Sequence, residues 1–266
     1  MTKPPGHQPR KRFGQNFLHD QYVIEKIVSA VAPTANQILV EIGPGKGAIT
    51  RLLVEQCKLL HVVEIDRDLV ALLQSRFARY ENLQIHNVDA LNFNFCDLTA
   101  GQTLRLVGNL PYNISTPLLF HILENVACIE DMHFMLQKEV VMRMAAMPGS
   151  KAYGRLSVMI QYYCEVEAVF DVGPESFTPA PKVESSIVRL IPHRHHPVQV
   201  TDYRTFSQLV TQAFSMRRKT LRNALKNFLT AEQIEQCEVD PKQRPEVIDM
   251  AAYARLSNCL SNIKDE

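Results

Sequence analysis

The chain has 266 residues, of which 46% are hydrophobic and 21% are charged, and its formal net charge is +1. This composition is that of a globular protein with a full core, built as one large domain or as a large domain and a small one. No stretch approaches the ~18 apolar residues of a membrane span, and the N-terminus is polar and basic. We therefore expect a cytoplasmic protein with no membrane partner.

The predicted elements alternate short β-branched runs with amphipathic helical segments, which is typical of a mostly parallel sheet covered on both faces. Asp20 is placed to cap a first helix that ends before Pro33. Asp66 can cap another, with Leu69, Val70, Leu72, Leu73 and Phe77 on its buried side. Strands are predicted at 38–42, 60–65, 83–88, 104–107 and 132–136, and helices also at 48–57, 117–123 and 138–146. Residues 156–190 are expected to hold one more helix and two antiparallel edge strands.

The proline- and histidine-rich stretch at 191–198 is interpreted as a linker rather than a metal site. Beyond it, the sequence pattern predicts helices only, at 203–214, 220–228 and 250–260. We therefore predict a first domain at 1–192 and a small helical domain at 193–266. The cysteines lie far apart without a C-x-x-C pair, so reduced packing residues are expected and no metal is expected. These are Cys57, Cys96, Cys128, Cys164, Cys237 and Cys259.

A glycine-rich turn, Glu41 to Gly47, follows the first strand of the predicted sheet and opens a helix. Glycines there permit a tight turn and let the backbone approach a ligand at the helix N-terminus. Glu64 closes the next strand, where an acid can bind both hydroxyls of a ribose. The spacing Gly43-x-Gly45-x-x-Ala48 also fits the dinucleotide fingerprint, so a nicotinamide enzyme stays open on this motif alone.

The ends of the next two strands favour a different cofactor. Asp89 can accept a hydrogen bond from an adenine amino group. Asn109-Leu110-Pro111-Tyr112 supplies an amide oxygen that can accept from an exocyclic amine and an aromatic face for an unstacked base. Such an amine is a poor nucleophile, and acceptors on its hydrogens aim its lone pair at an electrophile. This chemistry suits S-adenosylmethionine and not hydride transfer.

With these motifs, the chain resembles the KsgA/RsmA-type small-subunit ribosomal RNA adenine dimethyltransferases, which are related to the macrolide-resistance Erm methylases. The resemblance covers nearly the whole chain. It rests on Gln15 to Leu18, Glu41 to Thr50, Val63 to Asp66, Asp89-Ala90, Asn109 to Tyr112, Phe177 to Ser185 and the basic stretch 214–223.

The resemblance implies a Rossmann-like class I methyltransferase domain, with a seven-stranded mostly parallel sheet, and a small all-α C-terminal domain. It implies two methyl groups on each of two adjacent adenosines near the 3′ end of 16S rRNA in the small (30S) ribosomal subunit or its precursor. By position, S-adenosylmethionine would contact Asn16, Leu18, Gly43, Glu64, Asp89 and Asn109. The target base would be held by Asn109, Leu110 and Tyr112.

Basic residues are concentrated in two stretches that lack acids, residues 1–19 and 203–231, which suits a protein that touches phosphate with one face. A monomer is expected. Within the second stretch, Arg217, Arg218 and Arg222 are predicted to bind the RNA backbone. Near the base pocket, Phe177 could stack on the target adenine and Lys182 could meet a phosphate, or their loop could be only a rigid connection.

Three alternatives to this function stay open from the sequence. An Erm-type enzyme would perform almost the same chemistry on 23S rRNA. A non-catalytic ribosome-assembly factor could use the same fold to check the small subunit. A nicotinamide dehydrogenase is disfavoured because no His or Lys stands at a strand end as an acid or base.

Overall fold

The computed structural model describes residues 14–99, 101–216 and 218–265, and these divide into two compact units. The first unit takes in the described residues up to Val141 together with Glu167–Pro192. The second comprises Met142–Val166 and the chain from His193 onward. The second unit thus resumes at the boundary that the sequence suggests, and in addition it includes residues 142–166. The domain limits 1–192 and 193–266 themselves stay a prediction.

The apolar runs form a seven-stranded sheet, as predicted. Its strands are β2 (Ile38–Ile42), β3 (Leu59–Val63), β4 (Leu83–His86), β5 (Leu104–Asn109), β6 (Ile129–Gln137), β7 (Cys164–Val172) and β9 (Ser185–Pro192). They lie in the order β4-β3-β2-β5-β6-β9-β7. The neighbours from β4 to β6 are parallel and β9 is antiparallel to β6. Two short strands, β1 (Phe17–Leu18) and β8 (Phe177–Thr178), form a separate antiparallel pair.

The sheet order reverses at β2, whose neighbours β3 and β5 carry the chain outward in opposite directions. Ligands of open α/β sheets bind outside the carboxyl ends of the strands at such a point. The segments that follow β2, β3, β4 and β5 include every predicted strand-end residue of the cofactor and base site. The topology therefore places these segments at one edge of the sheet.

The helices in chain order are α1 (Gln21–Val31), α2 (Thr50–Leu53), α3 (Arg67–Arg76), α4 (Ser115–Leu123), α5 (Lys138–Met144), α6 (Arg155–Tyr163), α7 (Tyr203–Ser215), α8 (Leu221–Ala224), α9 (Ala231–Gln236) and α10 (Met250–Asp265). Asp20 and Asp66 cap α1 and α3 through their carboxylates, as predicted. From His193 onward, the described residues form helices and turns only.

Two predicted helices, at 48–57 and 220–228, are shorter than their periodicity suggests, since α2 ends at Leu53 and α8 at Ala224. Asn82 Nδ2 donates to the carbonyls of Val54 and Cys57, at 2.8 and 3.1 Å, just past the end of α2. Gln212 Nε2 likewise donates to the carbonyl of Ala224 at the end of α8. In both places a side-chain amide binds carbonyls that the end of a helix leaves without a partner inside the helix.

Two further details of the prediction are wrong, and one helix was not predicted. Leu72 of α3 is 37% exposed rather than buried. Cys96 and Cys128 are paired in a disulfide instead of being reduced, because two 3₁₀ turns meet and bring their Cα atoms to 5.6 Å. Spacing in the sequence gives no signal of that approach. The unpredicted helix is α9, which a Thr230–Gln233 capping box begins.

The structure offers neither a membrane span nor a metal cluster within residues 14–99, 101–216 and 218–265. No helix there combines the length and the apolarity needed to cross a bilayer. No group of three or more His, Cys, Asp and Glu side chains there is arranged to hold a metal ion.

Candidate active site

A cavity of about 290 Å³ lies in the first unit, at the carboxyl ends of the parallel strands. It is lined by the eight residues that the resemblance assigns to the cofactor and the target base: Asn16, Leu18, Gly43, Glu64, Asp89, Asn109, Leu110 and Tyr112. Its volume is near the lower end of the range for sites that hold small molecules. The fold therefore gathers residues from five separate segments into one site.

The glycine loop after β2 forms one wall of the cavity. Gly43 and Gly45 have φ values of +66° and +57°, in the left-handed region that glycine adopts without steric cost. A Cβ atom on Gly45 would stand 3.1 Å from the ring of Phe17, which faces it from β1. The loop and the N-terminal segment thus approach each other too closely for a side chain at this position.

Glu64 lies just past the end of β3 and is only 6% exposed. Its Oε1 accepts a hydrogen bond of 2.9 Å from the backbone N–H of Asp66. Burial raises the pKa of Glu64 to about 7, although the N–H groups of Asp66 and Gly45 lower it. A carboxylate held in place by a backbone N–H group can bind two vicinal hydroxyls, which is what a ribose presents.

Glu41, at the end of β2, is a second buried acid in the cavity wall. Thr50 Oγ1 of α2 donates to its Oε2 at 2.5 Å. Burial raises the pKa of Glu41 to about 7, the Thr50 hydrogen bond lowers it, and the nearby Glu64 raises it further. Above their pKa values the two acids give this wall of the cavity a negative charge, which favours a cationic group such as an ammonium.

Asp89 follows β4 and begins a 3₁₀ turn over Ala90–Asn92. Its Oδ1 accepts a hydrogen bond of 3.0 Å from the N–H of Leu91, so the carboxylate is fixed at the cavity edge. This geometry leaves the carboxylate further acceptor capacity for an adenine amino group.

Asn109 ends β5, and its side chain is oriented by a contact from far along the sequence. Its Nδ2 donates to the backbone carbonyl of Asn16 at 3.1 Å. Because a carbonyl can only accept, this contact fixes which end of the amide faces the N-terminal segment. The acceptor oxygen Oδ1 is thereby left for another donor.

The two other residues of the target-base group have different environments. Leu110 has a fully buried side chain, and its N–H donates to the carbonyl of Met135 at 3.2 Å. Tyr112 is half-buried, and its hydroxyl lies 2.7 Å from Ser185 Oγ. Burial raises the pKa of Tyr112, and the Ser185 hydrogen bond lowers it. Leu110 therefore contributes through its backbone, whereas Tyr112 presents its ring.

An N-terminal strap, defined as residues 14–20, covers one side of the cavity, and three anchors hold it in addition to the Asn109 contact with Asn16. Gln15 Nε2 donates to Asp66 Oδ2 at 3.0 Å, and Asp66 also caps α3. Phe17 and Leu18 pair with Thr178 and Phe177 across β1 and β8. The strap ends where Ser176 Oγ donates to a carboxylate oxygen of the α1 cap at 3.1 Å. These anchors were missed from the sequence, since no local pattern indicates them.

The residues assigned to RNA contact are placed differently from those of the cavity. Phe177 is only 3% exposed and packs in the core with Leu18, so the structure does not bring its ring to the cavity. The reason is its pairing with β1, which buries the ring behind the strap. Lys182, Arg218 and Arg222 are exposed. Arg217 lies outside the described residues.

The residues present fit S-adenosylmethionine. Asp89 is placed for the adenine amino group, Glu64 for the ribose hydroxyls and Glu41 for the ammonium of the methionine part. The glycine loop lets the backbone approach a ligand closely, since at Gly43 only the Asn109 carbonyl lies within 4 Å of where a side chain would begin. The acids belong to the ends of β2, β3 and β4, whereas the amide of Asn109 and the phenol of Tyr112 belong to the end of β5 and the loop after it.

Comparison with known proteins decides the family. The family model for "Ribosomal RNA adenine dimethylase" matches residues 6–262. The chain belongs to this family. It is therefore a ribosomal RNA adenine dimethyltransferase, and S-adenosylmethionine is its methyl donor. The nicotinamide interpretation of the glycine spacing is wrong.

Close relatives agree over nearly their full length. The Ribosomal RNA small subunit methyltransferase A of Pseudomonas aeruginosa is 53% identical over 264 residues, covering 99% of this chain and 98% of its own. The protein of the same name from Marinobacter nauticus is 51% identical over 262 residues, covering 98% and 95%.

Solved structures support the dimethylase fold. A dimethyladenosine transferase from Plasmodium falciparum has a TM-score of 0.78 and 26% identity, covering 90% of this chain and 95% of its own. The 23S rRNA methyltransferase ErmE has a TM-score of 0.73 and 24% identity, covering 92% and 100%. At 24% identity, the likeness to ErmE shows a shared fold only, and it does not indicate which RNA this dimethylase modifies.

Proposed function

We propose that this dimethyltransferase modifies the N6 amino groups of two adjacent adenosines near the 3′ end of 16S rRNA, within the small ribosomal subunit or its precursor. The observation that carries the proposal is the meeting of Glu64 and Asp89 with Asn109 and Tyr112 around one cavity. The high identity to relatives named for the small subunit supports that substrate over 23S rRNA.

One side of the cavity would bind the methyl donor, and the other would bind the adenine that accepts the methyl group. When bound, S-adenosylmethionine supplies an electrophilic methyl group. Glu64 and Asp89 would hold its nucleoside part, and Glu41 would hold its ammonium group. Catalysis would then come mainly from positioning.

On the other side, Asn109 prepares the nucleophile. Its Oδ1 accepts one N–H of the adenine amine, and a backbone carbonyl of the Asn109–Tyr112 loop accepts the other. These bonds favour a tetrahedral nitrogen whose lone pair points into the cavity. The carbonyl of Asn16 holds the amide in the orientation that makes this possible.

Tyr112 provides a face for a base that has left its stack. Removing an adenine from a helix costs a few kcal/mol, and stacking on an aromatic ring returns ~1–3 kcal/mol. After transfer, the product ammonium loses its proton to water, so the chain need not provide a strong general base.

RNA outside the cavity would be held by exposed cations. Lys182 stands in the loop before β9, and Arg218 and Arg222 lie near the start of α8. Such contacts release counterions, so binding should weaken steeply with salt. The protein would act as a monomer in the cytoplasm, where its ribosomal substrate is assembled.

The test is direct. Undermethylated small subunits are incubated with the protein and S-adenosylmethionine labelled in its methyl group, and the digested RNA is analysed for modified nucleosides. Labelled dimethyladenosine at two neighbouring positions is expected. Label in large-subunit RNA instead would favour the Erm-type alternative, and binding without any label would favour a non-catalytic assembly factor.

A further inference from the structure

Ser185, the first residue of β9, makes the hydroxyl contact to Tyr112. Its side chain is 0% exposed, and its Oγ lies 2.7 Å from Tyr112 Oη. The contact joins positions that are 73 residues apart in the sequence. Ser185 does not line the cavity, so it can influence a substrate only through the ring of Tyr112.

Both ends of this contact are held by rigid backbone. Ser185 pairs with Gln137 in the register of β6 and β9, and the next backbone bond runs from Lys138 N–H to the carbonyl of Glu184 at 3.0 Å. On the other side, Ser115 Oγ donates to the carbonyl of Tyr112 at 3.2 Å. The Tyr112 backbone is thus fixed by its own turn, and the far end of its ring is fixed by Ser185.

We propose that Ser185 is a positioning residue for methyl transfer, which sets the angle of the Tyr112 ring against the target adenine. The inference rests on the proposed function, since it concerns the base that Tyr112 stacks on. A tyrosine side chain rotates about two torsions, and the ring face moves when either one changes. The Ser185 hydrogen bond restrains the first torsion directly, because a change in it would move the hydroxyl. It restrains the second torsion because a phenol hydrogen bond is best made near the plane of the ring.

The tether matters most for the second methyl group. In the first transfer the amine has two N–H groups, and Asn109 Oδ1 and a backbone carbonyl can each accept one. After the first methylation only one N–H is left, so one of these two hydrogen bonds is lost. The monomethylated adenine is then positioned more by stacking on the Tyr112 ring than by hydrogen bonds. A more mobile ring should therefore slow the second transfer more than the first.

The experiment compares Ser185→Ala with Ser186→Ala on undermethylated small subunits. Ser186 is the matched control because it is also buried, and its Oγ donates instead to the carbonyl of Phe170, away from Tyr112. For Ser185→Ala we expect the second transfer to slow about tenfold, which is the worth of one hydrogen bond, and the first only about twofold to threefold. Monomethyladenosine should accumulate, while the Kd for S-adenosylmethionine stays unchanged.

A double-mutant cycle separates this role from general stability. Tyr112→Phe removes the other half of the contact and leaves Ser185 intact, so it should give the same excess of monomethyladenosine. Ser185→Ala added to Tyr112→Phe should then have no further effect on the second transfer, since the contact is already lost. Tyr112→Phe also serves if Ser185→Ala does not fold.

The outcomes distinguish this inference from the function on which it rests. If the unaltered protein adds no methyl groups, the proposed function fails. If the unaltered protein dimethylates and Ser185→Ala behaves like Ser186→Ala, the positioning role alone is overturned. Additive effects of Ser185→Ala and Tyr112→Phe would also overturn it, because they would mean that Ser185 acts elsewhere.

Discussion

The cofactor side and the target-base side of the cavity are built in different ways. Glu64 and Asp89 are held by backbone N–H groups two residues further along the chain. Asn109 and Tyr112 are held by Asn16 and Ser185, which are 93 and 73 residues away. Local turns therefore hold the two acids that we propose for the cofactor, whereas tertiary contacts orient the two side chains that we propose for the target base. Changes on the two sides should consequently have separable effects.

The largest expected effect lies on the base side. Asn109→Ala removes the acceptor for the adenine amine, so the rate of methylation should fall about 100- to 1000-fold, as for other well-aimed acceptors in a transition state. The affinity for RNA should stay nearly unchanged. Single-turnover methylation and RNA-binding titrations measure the two quantities. Asn262→Ala, on the exposed end of α10, is the matched control. Equal loss of rate and RNA affinity would contradict a role in chemistry.

Next comes the cofactor side. Glu64→Gln replaces the charged acceptor for the ribose hydroxyls, and hydrogen bonds to charged groups contribute about 1.5–3 kcal/mol. The Kd for S-adenosylmethionine should therefore rise about 10- to 100-fold at pH 8. Isothermal titration calorimetry measures it directly. An unchanged Kd would show that this acid does not contact the cofactor. Glu64 would then no longer support a separate cofactor side of the cavity.

A smaller effect concerns stability. The folded protein raises the pKa of Glu41 from 4.5 to about 7, so the charged carboxylate destabilises the fold at high pH by up to about 3 kcal/mol. This cost is absent below pH 4.5 and grows as the pH rises through 7. Glu41→Gln keeps an oxygen that can accept the hydrogen bond from Thr50, but burying the uncharged amide also costs free energy. We therefore expect Glu41→Gln to raise the free energy of unfolding by about 1–2 kcal/mol at pH 8 and not to change it near pH 4.5.

Chemical denaturation at the two pH values measures this gain. Glu81→Gln, an exposed acid before β4, is the control and should leave stability unchanged at both. A gain that is the same at pH 4.5 and pH 8 would mean that packing, and not charge, explains the effect.

The smallest effect is expected outside both sides of the cavity. Arg222→Glu in the second unit should weaken RNA binding about threefold to tenfold and reduce the slope of log affinity against log salt by about one or two. The control is Lys58→Glu, which is exposed before β3, at the end of the strand away from the cavity. Filter binding at several salt concentrations measures both variants. A change in cofactor affinity, or equal losses for both variants, would remove this residue from the RNA surface.

The site was predictable where neighbouring residues define it. The glycine loop, the acids after β3 and β4 and the Asn109–Tyr112 motif all lie in the cavity as expected, since strand ends of a parallel sheet converge. Phe177 shows the limit. Its motif suggested a base-stacking ring, but pairing of β8 with β1 buries it. The exposure of a side chain depends on which segment covers it, and that segment is more than 150 residues away along the chain.

By itself, the sequence determined the elements whose physics is local: the caps of α1 and α3, the apolar strands, the left-handed glycines and the residue types at the strand ends. Only the tertiary structure decided the anchoring of the N-terminal strap, the Asn16 contact that orients Asn109 and the Ser185 tether on Tyr112. It also decided the Cys96–Cys128 pairing. Capping and periodicity act over a few residues and leave a pattern in the sequence. A contact between distant segments depends on the three-dimensional path of the chain, and no spacing of residues records it.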